Sequence, residues 1–159
     1  MLLYHGSNVL VKSPKIIPSA KGLDFGSGFY LTSSYEQAKR WARLITKRRR
    51  NGEAIVSVFE FTEDKMNELN HIVYDEPDNA WLEMISNNRI DPLYKSDYEI
   101  IVGPVADDDT RPTILLYLRG VLTAEVAVTN LLPRKLKDQY AFKTDKSLEL
   151  LSFVRSEVV

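Results

Sequence analysis

The segment Phe25-Gly26-Ser27-Gly28-Phe29-Tyr30-Leu31-Thr32 runs directly into a predicted helix. Ser33 and Glu36 have the spacing of a capping box, in which two side chains satisfy the free backbone N–H groups at a helix start. Apolar residues then follow at helical intervals until an Asn-Gly pair at 51–52 ends the pattern. The sequence therefore predicts a glycine-rich turn and a helix as one unit.

Before this unit, a short apolar strand leads into a long loop. Leu2, Leu3 and Tyr4 predict a buried first strand that ends at His5, which places His5 at the mouth of that strand. Residues 8–28 contain two prolines and three glycines, which oppose regular structure. Because long ordered loops in compact domains are commonly functional, we expect this one to lie over a site.

After the unit, strands and helices mix along the chain. β-branched and aromatic runs predict strands, and helical periodicity between capping and stop signals predicts helices. The predicted strands are 54–61, Tyr98–Val102, Gln139–Phe142 and Leu150–Arg155, and the predicted helices are Asn79–Asn88, Arg111–Leu118, Thr123–Leu132 and a short one from Thr144. No internal repeat or linker interrupts this mixture, so we expect one α+β domain over residues 1–159.

The composition narrows the classes of function. The 159 residues are 44% hydrophobic and 27% charged, as in ordinary globular domains. The absence of cysteine excludes disulfides, a thiolate nucleophile and cysteine-based metal sites, and with only two histidines we expect no metal site. A net charge of -1 gives no global attraction to nucleic acid. No apolar run reaches membrane-spanning length and the first residues do not resemble a signal peptide, so a cytoplasmic protein without a membrane partner is expected.

Three segments together resemble the ADP-ribosyltransferase superfamily: Tyr4-His5-Gly6-Ser7, the segment from Phe25 to Thr32, and Asp138-Gln139-Tyr140-Ala141-Phe142. The likeness is to its His-Tyr-Glu type, which includes poly(ADP-ribose) polymerases and diphtheria toxin. More narrowly, nearly the full chain resembles a bacterial family of uncharacterised domains in that superfamily, which share the Tyr-His-Gly-Ser start, the Gly-Phe-Tyr-Leu-Thr core and a Gly-Pro-Val-Ala-Asp-Asp loop. The resemblance implies a split β-sandwich with flanking helices and an NAD cleft between two small sheets.

The resemblance also implies residue roles. His5 is expected to donate to the adenosine-side ribose of NAD, the Gly6 backbone to take the nicotinamide carboxamide, and Tyr30 to stack on the nicotinamide ring. Trp41, on a helix face expected to turn inward, is the second stacking aromatic. The residues predicted to bind NAD are His5, Gly6, Ser7, Gly28, Phe29, Tyr30 and Trp41, and the predicted catalytic residues are His5, Tyr30 and Gln139.

Gln139 departs from the superfamily pattern, because active members generally place a glutamate there. Glutamine can accept the same hydrogen bond from the nicotinamide ribose, but it brings no charge to stabilise the developing positive charge on the sugar. Glu99 is a competing candidate for the missing acid, or an outward-facing strand carboxylate. The carboxylates of Asp107–Asp109 either form a turn and a helix cap or lie near the acceptor.

The basic run from Lys47 to Arg50 also has two interpretations. Cations at a helix end oppose the negative end of the helix dipole, which accounts for the run. Alternatively, the run docks a nucleic acid or an acidic protein.

The sequence therefore predicts an NAD-dependent mono-ADP-ribosyltransferase of the glycosyltransferase class, and the family resemblance adds a toxin-like effector with a small antitoxin-like protein partner. Its acceptor is unknown, and we expect a protein rather than a nucleic acid. Two alternatives stay open: a catalytically weak or inactive module that binds NAD or ADP-ribose, and an NAD glycohydrolase that uses water as the acceptor.

Overall fold

Two β-sheets organise the chain in the computed structural model, which describes residues 1–18, 23–106, 110–132 and 136–159. The strands are β1 (Leu2–Ser7), β2 (Phe29–Leu31), β3 (Ile55–Phe61), β4 (His71–Val73), β5 (Ile100–Pro104), β6 (Asp138–Phe142) and β7 (Leu151–Val158). One sheet has the order β1-β3-β7 and the other the order β2-β6-β5-β4. All neighbours pair antiparallel except β4 and β5, which are parallel.

Five α-helices flank the sheets in the described residues. They are α1 (Tyr35–Arg49), α2 (Asn79–Ile90), α3 (Arg111–Leu118), α4 (Ala124–Leu131) and α5 (Asp145–Leu148), with a 3-10 helix at Glu63–Glu68. Polar side chains cap the start of four of them, α1, α2, α4 and α5. For example, the Asp78 carboxylate accepts from Trp81 N, and Thr144 forms a capping box with Ser147. None of the helices in the described ranges has the length and apolar character needed to cross a membrane.

Successive side chains of a strand point to opposite faces of its sheet, so the buried side chains form three layers. Leu3 and Phe59 from one sheet meet Phe142 and Ile100 from the other in a core between the sheets. The outer face of the four-stranded sheet carries a second core with α2, α3 and α4, centred on the fully buried Trp81. On the outer face of the three-stranded sheet, small buried residues of α1 pack against β3.

Within the described residues, backbone hydrogen bonds join the two sheets at one bridge, between β1 and the end of β2. Tyr4 N donates to Thr32 O at 2.9 Å and Thr32 N donates to Tyr4 O at 3.0 Å, which forms an isolated bridge. Beyond this bridge β1 pairs only with β3 and β2 only with β6, within the ranges described above. The sheets therefore separate at this point.

The α+β class is confirmed, and each predicted strand and helix has a counterpart whose ends differ by a few residues at most. Two short strands, β2 and β4, and the 3-10 helix were not predicted. The predicted capping box at Ser33 was wrong by one residue. Ser34 caps α1 by accepting from Gln37 N, whereas Ser33 N and Oγ donate to the Asp138 carboxylate.

Candidate functional site

The separation of β1 from β2 leaves backbone groups of Gly6 facing an opening. Alternate residues of a strand direct their N–H and C=O groups to the same side, so those of Gly6 point the same way as those of Tyr4, toward β2. The pairing does not continue to Gly6 and Tyr30 within the described part of the chain. Gly6 is itself buried.

Gly6 is also required by the helix behind it. A Cβ atom at this position would lie 2.0 Å from the Ala38 carbonyl oxygen of α1 and 2.9 Å from Ala42 N. Any side chain would therefore push α1 away from β1. The space that a side chain at Gly6 would occupy is therefore taken by α1.

His5 bridges the two sheets at the opening. Its Nδ1 lies 2.7 Å from the Tyr30 carbonyl oxygen, and its ring stacks on Phe29 with the ring centroids 4.4 Å apart. Burial lowers the pKa of His5 below its ordinary value, more strongly than the Tyr30 carbonyl raises it. His5 is therefore neutral, with the proton on Nδ1 because a carbonyl can only accept. Nε2 is then an acceptor in this tautomer, and not the donor that the expected contact with a ribose hydroxyl needs.

Tyr30 is held at its hydroxyl end by the preceding turn. The hydroxyl donates to Gly26 O at 2.5 Å and accepts from Phe25 N at 3.2 Å. Burial and the nearby Asp24 carboxylate raise the pKa of Tyr30, so the phenol stays neutral. Tyr30 is half-buried, and its side chain packs against the core on the outer face of its sheet. The ring of Tyr30 is therefore held in one position.

Gln139 lies on the same face of the sheet as Tyr30. Tyr30 pairs with Ala141, and Gln139 is two residues further along β6, so Tyr30 and Gln139 are diagonal neighbours about 7–8 Å apart. Gln139 is 8% exposed, and its Nε2 donates to Asp24 Oδ2 at 3.4 Å. This bond fixes the amide with its nitrogen toward Asp24, so its oxygen is the end that can accept from a ligand.

Asp24 is a site residue that sequence reasoning missed. Its carboxylate contacts Gln139 and influences Tyr30, and it forms an ion pair in which Arg89 Nη2 donates to Oδ1 at 2.6 Å. The side chains of Asp24 and Arg89 are only 13% and 21% exposed. The sequence gave no signal for this pair, because 65 residues separate its members and a loop position supplies the acid.

Trp41 does not turn inward as expected. It is 49% exposed on the flank of α1, whereas Ala38 and Ala42 form the buried face. Gln37, one helical turn earlier on the same flank, donates from Nε2 to Asp138 O at 3.3 Å. The flank that carries Trp41 therefore faces the end of β6 where Gln139 lies. The indole ring of Trp41 is exposed and can contact a partner.

The other predicted NAD-binding residues have structural roles. Phe29 is 6% exposed in the core between the sheets, so its side chain supports His5 and does not face a ligand as expected. A Cβ atom at Gly28 would lie 2.9 Å from Phe142 O, so this glycine permits close packing against β6. Ser7 Oγ accepts from Val9 N at 3.4 Å at the end of β1.

Glu99 is not the missing acid. Its carboxylate accepts from Asn70 N at 3.2 Å and from Thr144 Oγ1 at 3.1 Å. Glu99 directly precedes β5, and Gly103 of β5 pairs with Gln139. Because Glu99 is four residues from Gly103 and a strand rises about 3.3 Å per residue, Glu99 lies about 13 Å from Gln139. The Asp107–Asp109 cluster lies outside the described residues.

The comparisons with known proteins identify a family. No curated protein and no solved structure matches the chain. One family model matches residues 1–153, a span that contains His5, Tyr30, Gln139 and the newly found Asp24. The chain therefore belongs to the family described as "Protein of unknown function (DUF3990)".

Proposed function

We propose that this protein is an NAD-dependent mono-ADP-ribosyltransferase with an ADP-ribosyltransferase-like split β-sandwich. In this reaction the bond between the nicotinamide nitrogen and ribose C1′ breaks, and its electron pair leaves with neutral nicotinamide. A lone pair of the acceptor then bonds to C1′, and the acceptor releases a proton. A small protein that neutralises this activity, as the family resemblance implies, is part of the same proposal.

The observation that carries the proposal is the interrupted pairing of β1 and β2 beyond Tyr4 and Thr32. It leaves one N–H and one C=O of Gly6 directed toward β2, which is the donor and acceptor pair that a carboxamide needs. Tyr30 lies on the strand opposite, with its ring fixed by two hydrogen bonds. The neutral His5 adds an acceptor for a ribose hydroxyl.

Asp24 and Gln139 supply the remaining polar groups. The Gln139 amide oxygen accepts from a ribose hydroxyl, while Asp24 holds the amide nitrogen at 3.4 Å. The Asp24 carboxylate also places a negative charge near the cleft, where positive charge develops on the sugar. Its ion pair with Arg89 reduces that effect.

The same ion pair favours the second candidate, a module that binds NAD or ADP-ribose without turnover. The carboxylate nearest to Gln139 is already neutralised by Arg89, and Gln139 itself carries no charge. Without a free negative charge at the sugar, the cleft still binds NAD. The transition state for cleavage of the nicotinamide–ribose bond, however, loses its electrostatic stabilisation. The two candidates therefore share one cleft and differ in rate.

Isothermal titration with NAD tests the site. We expect saturable binding by the wild type, and a loss of at least about tenfold in affinity for His5→Ala and Tyr30→Ala, since each removes a group equivalent to about 1.4 kcal/mol or more. Ser7→Ala is the matched control, because within the described ranges the Ser7 hydroxyl bonds to Val9, two positions away. No binding by folded wild-type protein would refute the proposal.

Release of nicotinamide in the same samples separates the candidates. An enzyme releases nicotinamide slowly with the natural Gln139. The double variant Gln139→Glu, Asp24→Asn should raise the rate because it adds the missing charge, while the change at Asp24 removes the carboxylate that would repel it. If the wild type binds NAD without any release and this double variant creates activity, the protein is a binding module. Release at the same rate with and without an added acceptor identifies a glycohydrolase.

A further inference from the structure

Helix α1 carries a row of exposed cations that the NAD site does not use. Arg40, Arg43 and Lys47 recur at intervals of three and four residues, which places them on one side of the helix. All three are exposed, and we call them the basic face. The row extends about 10 Å along the helix axis, at 1.5 Å per residue. It is directed away from the side of α1 that packs on the sheet through Ala38 and Ala42.

The protein does not neutralise the basic face. Among the described residues, the ion pairs within 4.0 Å are Arg89 with Asp24 and Arg155 with Glu157, and neither involves this face. The only acidic residue of α1 is Glu36, in its first turn. The helix dipole accounts for cations in the last turn, but Arg40 and Arg43 lie in the middle of the helix, where its effect has fallen off.

An exposed aromatic ring accompanies these cations. Trp41 is 49% exposed and lies about 100° around the helix from Arg40, on the flank next to the basic face. The exposed Arg48 lies two turns later on the same flank as Trp41. An exposed indole beside arginines combines a flat surface for stacking with charges that bind phosphate. The sequence alone did not reveal this combination, because Trp41 was expected to face inward.

We propose that the basic face and Trp41 bind single-stranded nucleic acid. The guanidinium groups of Arg40 and Arg43 and the ammonium of Lys47 contact successive phosphates, and Trp41 stacks on an unpaired base. An acidic protein fits less well, since it would satisfy the cations but leave the indole unused. A duplex also fits less well, because its bases are already stacked on each other. The inference goes beyond the proposed NAD chemistry, and its test contains no NAD.

Fluorescence anisotropy with a labelled single-stranded DNA oligonucleotide of about 12 nucleotides tests the proposal, since single-strand sites span about 4–16 nucleotides. We expect saturable binding that weakens with salt, with a logarithmic slope of about -0.7 for each phosphate contacted. Equal or tighter binding of the matching duplex would overturn the single-strand inference. If a glutamate homopolymer displaced the labelled oligonucleotide as well as unlabelled single-stranded DNA does, the partner would be an acidic protein and the nucleic-acid inference would be overturned.

Charge variants locate the surface. The triple variant Arg40→Gln, Arg43→Gln, Lys47→Gln removes three cations while keeping good helix formers, and we expect its salt slope to fall by about two with at least a tenfold loss of affinity at low salt. The control removes three exposed cations elsewhere: Lys65→Gln, Lys95→Gln, Arg119→Gln. Equal weakening in both triple variants would mean that only net charge matters and would refute the surface.

The role of Trp41 has its own test. Trp41→Ala should weaken binding of the oligonucleotide by about tenfold, whereas Trp41→Phe should keep most of it, because stacking needs a flat ring. Unchanged binding by Trp41→Ala would refute the stacking role. Since Trp41 is also a candidate NAD contact, the charge variants are the test of where the nucleic acid binds. NAD binding by the same charge variants should be unchanged, so titrating them with NAD separates failure of this inference from failure of the proposed function.

Discussion

His5 is neutral in the folded protein because burial lowers the pKa of its imidazole. An unfolded histidine titrates near 6.5, so between the lowered folded value and 6.5 the unfolded chain binds more protons. The free energy of unfolding should therefore fall as the pH drops through this window, by at most about 1.4 kcal/mol per pH unit from this group. The test is to measure the free energy of unfolding with urea from pH 7.5 downward for the wild type and for His5→Gln, which has no imidazole to titrate. Parallel profiles for the two proteins would contradict the buried neutral imidazole.

Asp24 and Arg89 form an ion pair between a loop and a helix, and removing one partner leaves the other charge poorly solvated. We expect Asp24→Asn and Arg89→Met each to cost about 2 kcal/mol of stability, less than the roughly 3–5 kcal/mol of a fully buried pair, because both side chains keep some exposure. The double variant should cost less than the sum of the two changes. Chemical denaturation of all four proteins measures the coupling, and strictly additive losses would show that the two charges do not stabilise each other.

At the scale of elements, the contact between α1 and β1 depends on the absence of a side chain at Gly6. We expect Gly6→Ala to destabilise the protein by about 3 kcal/mol, because the new methyl group meets the Ala38 carbonyl at 2.0 Å. Gly120→Ala is an informative control: Gly120 has a positive φ of 71° but nothing within 4 Å, so it should cost only about 1 kcal/mol of backbone strain. Thermal and urea unfolding compare the two, and similar losses would mean that the close packing is not limiting.

Lys143 connects β6 to the turn that fixes Tyr30. Its Nζ donates to the carbonyl oxygens of Phe25 and Ser27, and burial lowers the pKa of Lys143 to about 8. From about pH 8 to 9.5 the unfolded lysine is protonated and the folded one is losing its proton, so the free energy of unfolding should rise with pH. Lys143→Met should abolish that rise and weaken NAD binding through a looser turn. A rise that survives in Lys143→Met would assign it to another group.

The elements that the sequence predicted well are those with local signals. Asp78 and Thr144 start their helices through hydrogen bonds to residues three positions later, and such short-range chemistry is visible in the sequence. β2 and β4 have three residues each, and their strand conformation comes from pairing with β6 and β5, which no local pattern encodes. For the same reason His5, Tyr30 and Gln139 were proposed from a resemblance, and Asp24, whose side-chain hydrogen bonds reach residues distant in sequence, was not proposed.

At the scale of the molecule, the candidate site joins the two sheets. His5 and Gly6 belong to the three-stranded sheet, while Tyr30 and Gln139 belong to the four-stranded sheet. The sheets share a hydrophobic core, but their only backbone bridge in the described chain is that of Tyr4 with Thr32. A ligand that contacts both sheets therefore adds contacts between them at the place where the backbone pairing ends. Its binding should increase the stability of the whole fold.

NAD should therefore raise the thermal unfolding midpoint in a concentration-dependent way. A ligand that binds only the folded state adds about 2.7 kcal/mol at a hundred times its dissociation constant, equivalent to a rise of about 5–10 °C for a chain of this size. His5→Ala and Tyr30→Ala each remove contacts from one sheet, so both should lose the effect, whereas Ser7→Ala should keep it. A scan of midpoint against NAD concentration measures this coupling. If the midpoint still rises equally in His5→Ala and Tyr30→Ala, then NAD binds somewhere other than the opening between β1 and β2.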